Sequence, residues 1–299
     1  MRRLYIDFMG NRRWLFLASG IVLVVAVLSL AFRGLNLGIE FKGGTIITLT
    51  NTGAATISQV RDAATKAGVA EPQLQSMTDG FKIRSAQTDI TLAEQSASKI
   101  AATLKLQSDD MQVSTIGPEW GNNITNAALI ALAVSIMAIL GYVSIRFEYK
   151  MAVTGVLALV HDVVITLGIY ALIGREFTPN TMAALLTIMG YSLYDTIVVF
   201  HRIRENTQHL TKMSFMNMAN DSLNQVLARW INTGLSSLIP VLCLLAMGGA
   251  TLGDFAFALA IGLVSGAYSS VAVASPLYAM WKEREPRYQA LAKKYASSN

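Results

Sequence analysis

A chain of 299 residues that is 53% hydrophobic and only 14% charged cannot cover a soluble globule with polar surface. Its mean hydropathy of +0.44 points to an integral membrane protein. The net charge of +5, which in a soluble chain would suggest nucleic acid, is accounted for by basic loops beside membrane spans, so no nucleic-acid partner is expected.

Six apolar runs are long enough to cross a bilayer core of roughly 30 Å as helix: 14–32, 126–145, 151–173, 181–200, 230–247 and 255–280. The last run is overlong, which predicts a tilt or an interfacial turn. Arg2, Arg3, Arg12 and Arg13 place residues 1–13 in the cytoplasm. Alternate threading then gives the inner connections Arg146 and Lys150, next Arg202, Arg204, Lys212 and Arg229, and last the basic tail 282–299, while the short outer connections hold only Arg175. Both termini are therefore expected inside. The first run exceeds the 7–15 apolar residues of a cleaved signal peptide, which favours an uncleaved anchor over cleavage near Ser29-Leu30-Ala31. The single cysteine, Cys243, excludes an internal disulfide.

Residues 33–125 have soluble composition and are expected as an external α+β domain. "TIITLT" (45–50) is strand-like, and "TISQVRDAATKAG" (56–68) carries Ile57, Val60, Ala64 and Ala67 at helical spacing with Gly68 as the stop. Two short strands follow across Thr78-Asp79-Gly80, where Asp-Gly favours a tight turn. A helix over 91–106 and a strand over 111–116 complete the order βαββαβ, the ferredoxin-like split unit. No nucleophile–base pair, phosphate loop or metal spacing occurs in it, which favours binding or mechanical work over catalysis. Gly38, Glu40, Gly43 and Gly44 on one side, and Gly117 and Pro118 on the other, read as turn or hinge chemistry where the chain leaves the bilayer.

Within the five-helix bundle 126–281, a central Asp costs roughly 3 kcal/mol on insertion scales, so such residues face protein or water. His161 and Asp162 fall near the middle of the third span, and Asp195 five residues from the inner end of the fourth. Tyr191, Ser192 and Asp195 share one helical face. The fifth span adds Asn232, Thr233, Ser236 and Ser237, with Arg229 at its cytoplasmic entry, and the sixth adds Gly262, Ser265, Gly266, Ser269 and Ser270, with a Gly-x-x-x-Gly pair for close packing. Asp195 is either a paired structural carboxylate or a proton carrier whose affinity changes with its distance from Arg229. Arg229 alternatively snorkels to headgroups, and His161 alternatively packs and bonds a neighbouring helix. An intramembrane aspartyl protease would pair Tyr194-Asp195 with Gly253-Asp254. However, Thr251 replaces the first glycine of the second motif, and the two carboxylates should stand roughly 20 Å apart along the membrane normal. With the helix ends crudely aligned, Asp195 lies about nine residues further in than Asp162.

The segment "LLTIMGYSLYDTIVVFHRIREN" (185–206), supported by "GIEFKGG" (38–44), "VHDVVITLGIYAL" (160–172) and "LARWINTGLSSLIP" (227–240), resembles the SecF side of the SecD/SecF family within the RND superfamily. The resemblance implies a subunit driven by the proton motive force in the bacterial cytoplasmic membrane. It would be paired with SecD beside the SecYEG translocon, in contact with lipids and a translocating unfolded preprotein, and would use protons rather than a bound cofactor. It implies a proton relay at Asp195 and Arg229, with Tyr191, Ser192, His161 and Asp162 as possible polar support. Two residues depart from the family's usual pattern: Glu40 and His201 each stand where Asp is usual. The competing expectations are an RND-type exporter of small molecules or lipids, and a non-transporting membrane scaffold.

Overall fold

The computed structural model describes residues 5–53, 55–77, 79–247 and 249–295. Arg2, Arg3 and Thr78, which figure in the expectations above, lie outside the described residues, as does the side chain of Thr251. Helix α1 (Arg12–Arg33) ends at Gly34, whose φ of +66° turns the chain out of the helix. The two-residue strand β1 (Asn36–Leu37) and the helical turn α2 (Ile39–Lys42) lead into a four-stranded sheet. Its elements run β2 (Gly44–Thr50), α3 (Ile57–Lys66), β3 (Gln73–Met77), β4 (Gly80–Ser85), α4 (Ile90–Leu104) and β5 (Met111–Ile116).

The strand order is β3-β4-β2-β5, with every neighbouring pair antiparallel. Helix α3 starts at a capping box, in which Thr56 and Gln59 each bond the other's backbone N–H. Val60, Ala63 and Ala64 of α3 and Ala97 and Ile100 of α4 face Ile47, Leu49 and Ile83 of the sheet. Of the helical stripe expected in α3, Ile57 alone points outward. Gly80 pairs directly with Met77 and Thr50 and so belongs to the strand, one residue beyond the turn. A Cβ there would strike the Leu49 carbonyl, which explains glycine at that position.

The remaining chain forms α5 (Pro118–Arg146), α6 (Tyr149–Ile173), β6 (Glu176–Phe177), α7 (Pro179–Gln208), α8 (Phe215–Met247) and α9 (Gly249–Ser269). It ends with a π-helical segment, Ser270–Ala274, α10 (Ser275–Glu283) and α11 (Pro286–Tyr295). Six helices are long and apolar enough to cross a membrane: α1, α5, α6, α7, α8 and the continuous run Leu252–Glu283. In the most apolar 18-residue stretch of each, half or more of α6, α7 and the last span is buried, against 6% of α5 and of α8, so within the apolar layer the former make the centre and the latter the rim. The apolar outer faces of α1, α5 and α8 suit a hydrocarbon environment.

Three helices overrun the spans expected from hydropathy. Helix α8 begins at Phe215 rather than 230, α7 continues to Gln208, and α5 starts at Pro118. A hydropathy window registers only the part at hydrocarbon depth. The inner turns of α8 are amphipathic, and bury Phe215, Met218, Ala219 and Leu223 among Phe200, Ile203, Tyr278 and Tyr288. The interfacial turn expected in the last span is absent among the described residues. A π-helical turn replaces it, ahead of Pro276, which has no N–H to continue the ladder.

Close helix contact depends on glycine at two places. Gly262 and Gly266 of α9 lie directly against Ile188 and Ser192 of α7, as the Gly-x-x-x-Gly spacing suggests. On α6, a Cβ at Gly168 would meet the Cα of Ala26 at 2.5 Å, a backbone atom of α1 that cannot step aside. Gly168→Ala should therefore cost about 1–3 kcal/mol through overpacking. Gly141→Ala, with no atom within 4 Å of the added methyl, should be neutral or slightly stabilising. Thermal unfolding of the two variants in detergent checks the difference.

Candidate functional site

The centre of the bundle is built around one carboxylate. Asp162 is 0% exposed and accepts four hydrogen bonds. Oδ2 takes Ser192 Oγ of α7 at 2.7 Å and Ser269 Oγ of α9 at 2.8 Å. Oδ1 takes Ser265 Oγ at 2.7 Å and lies 3.1 Å from His161 Nδ1. Ser265 and Ser269 are one helical turn apart, which puts both hydroxyls on the α9 face that meets α6. Gly266 between them allows α7 near enough for Ser192 to complete the cage. Below it, Thr196 and Ser270 exchange a 2.8 Å hydrogen bond, and Ser275 bonds the Ser270 carbonyl across the π-helical turn.

Asp195 lies in different surroundings. It is half-buried in a cleft of about 20 Å³ between α7, α8 and α9, the space of about one or two waters. Tyr191, Ser192, Thr233 and Ser237 line the same cleft, so the structure joins the expected polar strip of the fourth span to half of that expected on the fifth. Asn232 and Ser236 face outward. Among the described residues Asp195 has no hydrogen-bond or ion-pair partner. Arg229 is exposed, and it is likewise without an ion pair to Asp195 in this conformation. The structure therefore brings Tyr191, Ser192 and Asp195 together and leaves Arg229 apart.

The depths also differ from the crude alignment of helix ends. Ser192, which bonds Asp162, is three residues from Asp195, so the two carboxylates are offset by one turn, roughly 5 Å, and not by nine residues. The helices are staggered because their inner extensions are unequal. Asp254 sits at the outer end, where Arg175 holds its carboxylate at 2.9 Å and Tyr170 donates to its carbonyl. Thr196 bonds Ser270, which sets Asp195 level with Ser269, so Asp254 remains roughly 22 Å from Asp195 along the axis, too far for an aspartyl dyad.

His161 bonds its own neighbour, Asp162, and not an adjacent helix. Its Nε2 is buried without a partner among the described residues. His201 is exposed near the inner end of α7.

The flanking glycines form a packed turn. Gly43 and Gly44 have φ of +78° and +140°, and a Cβ on Gly43 would touch Pro118 at 3.1 Å, beside Gly117 at the start of α5. Gly38 N–H bonds the Phe177 carbonyl and extends the parallel pairing of β1 with β6. Next to it, Arg84 of β4 is ion-paired with Glu176 of β6, tying the sheet to the helical bundle. Burial pushes the Glu176 carboxyl up from its ordinary range; Arg84 opposes this shift, and Glu40 adds to it. Glu40 Oε2 and Arg84 Nε are buried without partners among the described residues. Nothing in the residue pattern marked Arg84 or Glu176. The serines of the cage were visible in the sequence, Ser192 as polar support beside Asp195 and Ser265 and Ser269 as polar residues of the sixth span, but none as a partner of Asp162.

Removing one donor from the caged carboxylate strips a charge-assisted bond from a buried group. Ser265→Ala should cost about 1.5–3 kcal/mol. Asp195→Asn, which has no bond to lose, should leave the melting temperature within about a degree or two of the parent. Thermal melts of the purified chain at neutral pH check both.

Comparison with known proteins places these features in one family. Residues 95–284 match the family model "Protein export membrane protein SecD/SecF, C-terminal", and residues 28–50 match the "SecD/SecF GG Motif", which contains Gly43 and Gly44. Protein translocase subunit SecF of Streptomyces coelicolor is 39% identical over 96% of this chain and 80% of its own length. The SecF subunit of Calditerrivibrio nitroreducens is 37% identical over 94% of this chain and 96% of its own. A crystal structure of SecDF from Thermus thermophilus superposes with a TM-score of 0.86 at 35% identity, covering 94% of this chain and 39% of that longer one. With six apolar helices and these relatives, this multi-pass membrane protein belongs to the SecD/SecF family of protein export membrane proteins.

Proposed function

We propose that the chain works in the Sec pathway as a SecF-type half-transporter, which uses the proton motive force beside a SecD-type partner to promote polypeptide translocation. The relatives are named protein translocase subunits, and in the Thermus SecDF the matching region occupies about two-fifths of a single longer chain. A unit covering that share of a SecDF needs the remaining share to complete a pathway, which supports a SecD partner. The SecYEG channel and an unfolded preprotein are the further partners implied by this role, with protons as the coupling ion.

The observation that carries the proton reading is the contrast between the two aspartates. Asp162 has every acceptor position filled, whereas Asp195 is unpaired in a cleft with room for about one or two waters. A carboxylate that gives up no hydrogen bond when protonated is suited to repeated loading and release. Arg229, one turn below Thr233 on α8, is the cation whose approach in another conformation would favour the ionised form. One elementary charge crossing about 100 mV yields about 2.3 kcal/mol, enough to shift a two-state equilibrium nearly fiftyfold.

In this reading residues 1–13 and 282–299 are cytoplasmic and residues 33–125 lie outside. The strand order β3-β4-β2-β5 with both helices on one face supports reading it as a ferredoxin-like unit, suited to holding polypeptide as it emerges. Its small size favours polypeptide handling over export of small molecules. The β1–β6 pairing and the Arg84–Glu176 ion pair would transmit bundle motion to it.

Export of a secreted precursor from vesicles under an imposed proton gradient tests the proposal. Asp195→Asn should abolish the gradient-dependent gain while keeping the partner bound. Arg229→Lys should lose most of that gain if guanidinium geometry is needed, and little if the charge alone matters. A gain unchanged in Asp195→Asn would favour a scaffold.

A further inference from the structure

His161 and its surroundings are not used by the mechanism above. Its ring is 4% exposed and stacks 6.5 Å from Tyr268. It lies on the wall of a crevice of about 590 Å³ between α1, α6, α8 and α9, with Ser19, Ser265 and Tyr268 as the other polar side chains of the lining. Nδ1 is committed to Asp162, so the unpartnered nitrogen is Nε2.

An ionised carboxylate removed from water needs a counter-charge as well as donors. Asp162 has three serine hydroxyls and one imidazole around it, and among the described residues no lysine or arginine bonds it. The imidazole is the one neighbour able to become a cation near neutral pH. The titratable groups facing His161 are Asp162 on its own helix, Tyr268 on α9 and, behind Ser192, Asp195 on α7. Helices α1 and α8 present Ser19 and aliphatic side chains to the crevice.

We propose that His161 and Asp162 form a second proton-binding site, which takes its proton at His161 Nε2, the buried nitrogen beside the crevice. It communicates with Asp195 through Ser192, the side chain that both bonds Asp162 and lines the Asp195 cleft. On loading, an N–H bond forms at Nε2 and an O–H bond of hydronium breaks. The pair passes from a net charge of −1 to neutral, and unloading is the reverse. The serine hydroxyls serve either distribution of the proton, because each can donate to a carboxylate or accept from a carboxylic acid. This inference rests on the proton-coupled reading, and extends it from one titrating group to two on opposite sides of Ser192.

Histidine nitrogen resonances of the labelled full chain with its SecD-type partner in vesicles test it directly. The chain has 3 histidines, and His161→Gln assigns the signal by its loss. The His161 signal should pass from the neutral Nδ1–H form to imidazolium as the pH is lowered. His161→Gln, whose amide N–H can still donate to Asp162, should lose most of the gradient-dependent export gain. If His161 stays neutral throughout, or His161→Gln keeps the full gain while Asp195→Asn loses it, the second site is wrong and the role of Asp195 stands. If Asp195→Asn keeps its gain, the proton-coupled reading fails, and with it any transport role for the pair.

Discussion

A carboxylate cannot stay bare in an apolar slab, and the bundle is organised around answering that demand at Asp162. The group has no water-exposed surface, so its four acceptor positions are filled from three helices: Ser192 on α7, Ser265 and Ser269 on α9, and His161 beside it on α6. Each donor fixes the rotation and depth of the helix that carries it. The glycines at 262 and 266 are the steric counterpart, since hydroxyls reach a carboxylate on a neighbouring helix only when the backbones approach closely. Removing the acid would leave the three hydroxyls with no common acceptor.

The two membrane aspartates thus have different surroundings, although the residue type is the same. Asp162 is tied by hydrogen bonds to side chains of α7 and α9 as well as to its own neighbour. Asp195, one turn further in, is free of such bonds and next to a small cleft. Ser192 lies between them, and the π-helical turn at Ser270–Ala274 is packed against the same region. A π-helical turn is a local departure from the regular ladder, and such departures occur often at sites that must move. At the outer end, the glycine turn against Pro118 and the Arg84–Glu176 pair connect the bundle to the sheet, so that a helix shift has a path to the external unit.

Much of this architecture was legible from residue patterns. The six spans follow from apolar length, and the βαββαβ order from alternation, helical spacing and capping residues. What hydropathy missed were helix ends that leave the apolar layer: the first turns of α8 bury methionine and phenylalanine on one face only, which no span-length window detects. Asp195 stood out because a long motif surrounds it. Asp162 looked secondary because its partners, single serines on two other helices, gain meaning only once packing is known. The Arg84–Glu176 contact joins residues far apart in the chain, with no spacing to betray it. The separation of Arg229 from Asp195 belongs to one conformation, and residue order contains no information about which state a structure captures.

The central claim is that Asp195 changes protonation as the complex works. Infrared difference spectroscopy of the membrane-embedded complex, recorded while a proton gradient is imposed, reads that change as the carbonyl stretch of a protonated carboxyl. The mechanism predicts a band that rises on the gradient, is missing in Asp195→Asn and persists in Ser265→Ala. A spectrum in which the gradient alters no carboxyl band, or alters only bands that survive in Asp195→Asn, would contradict it.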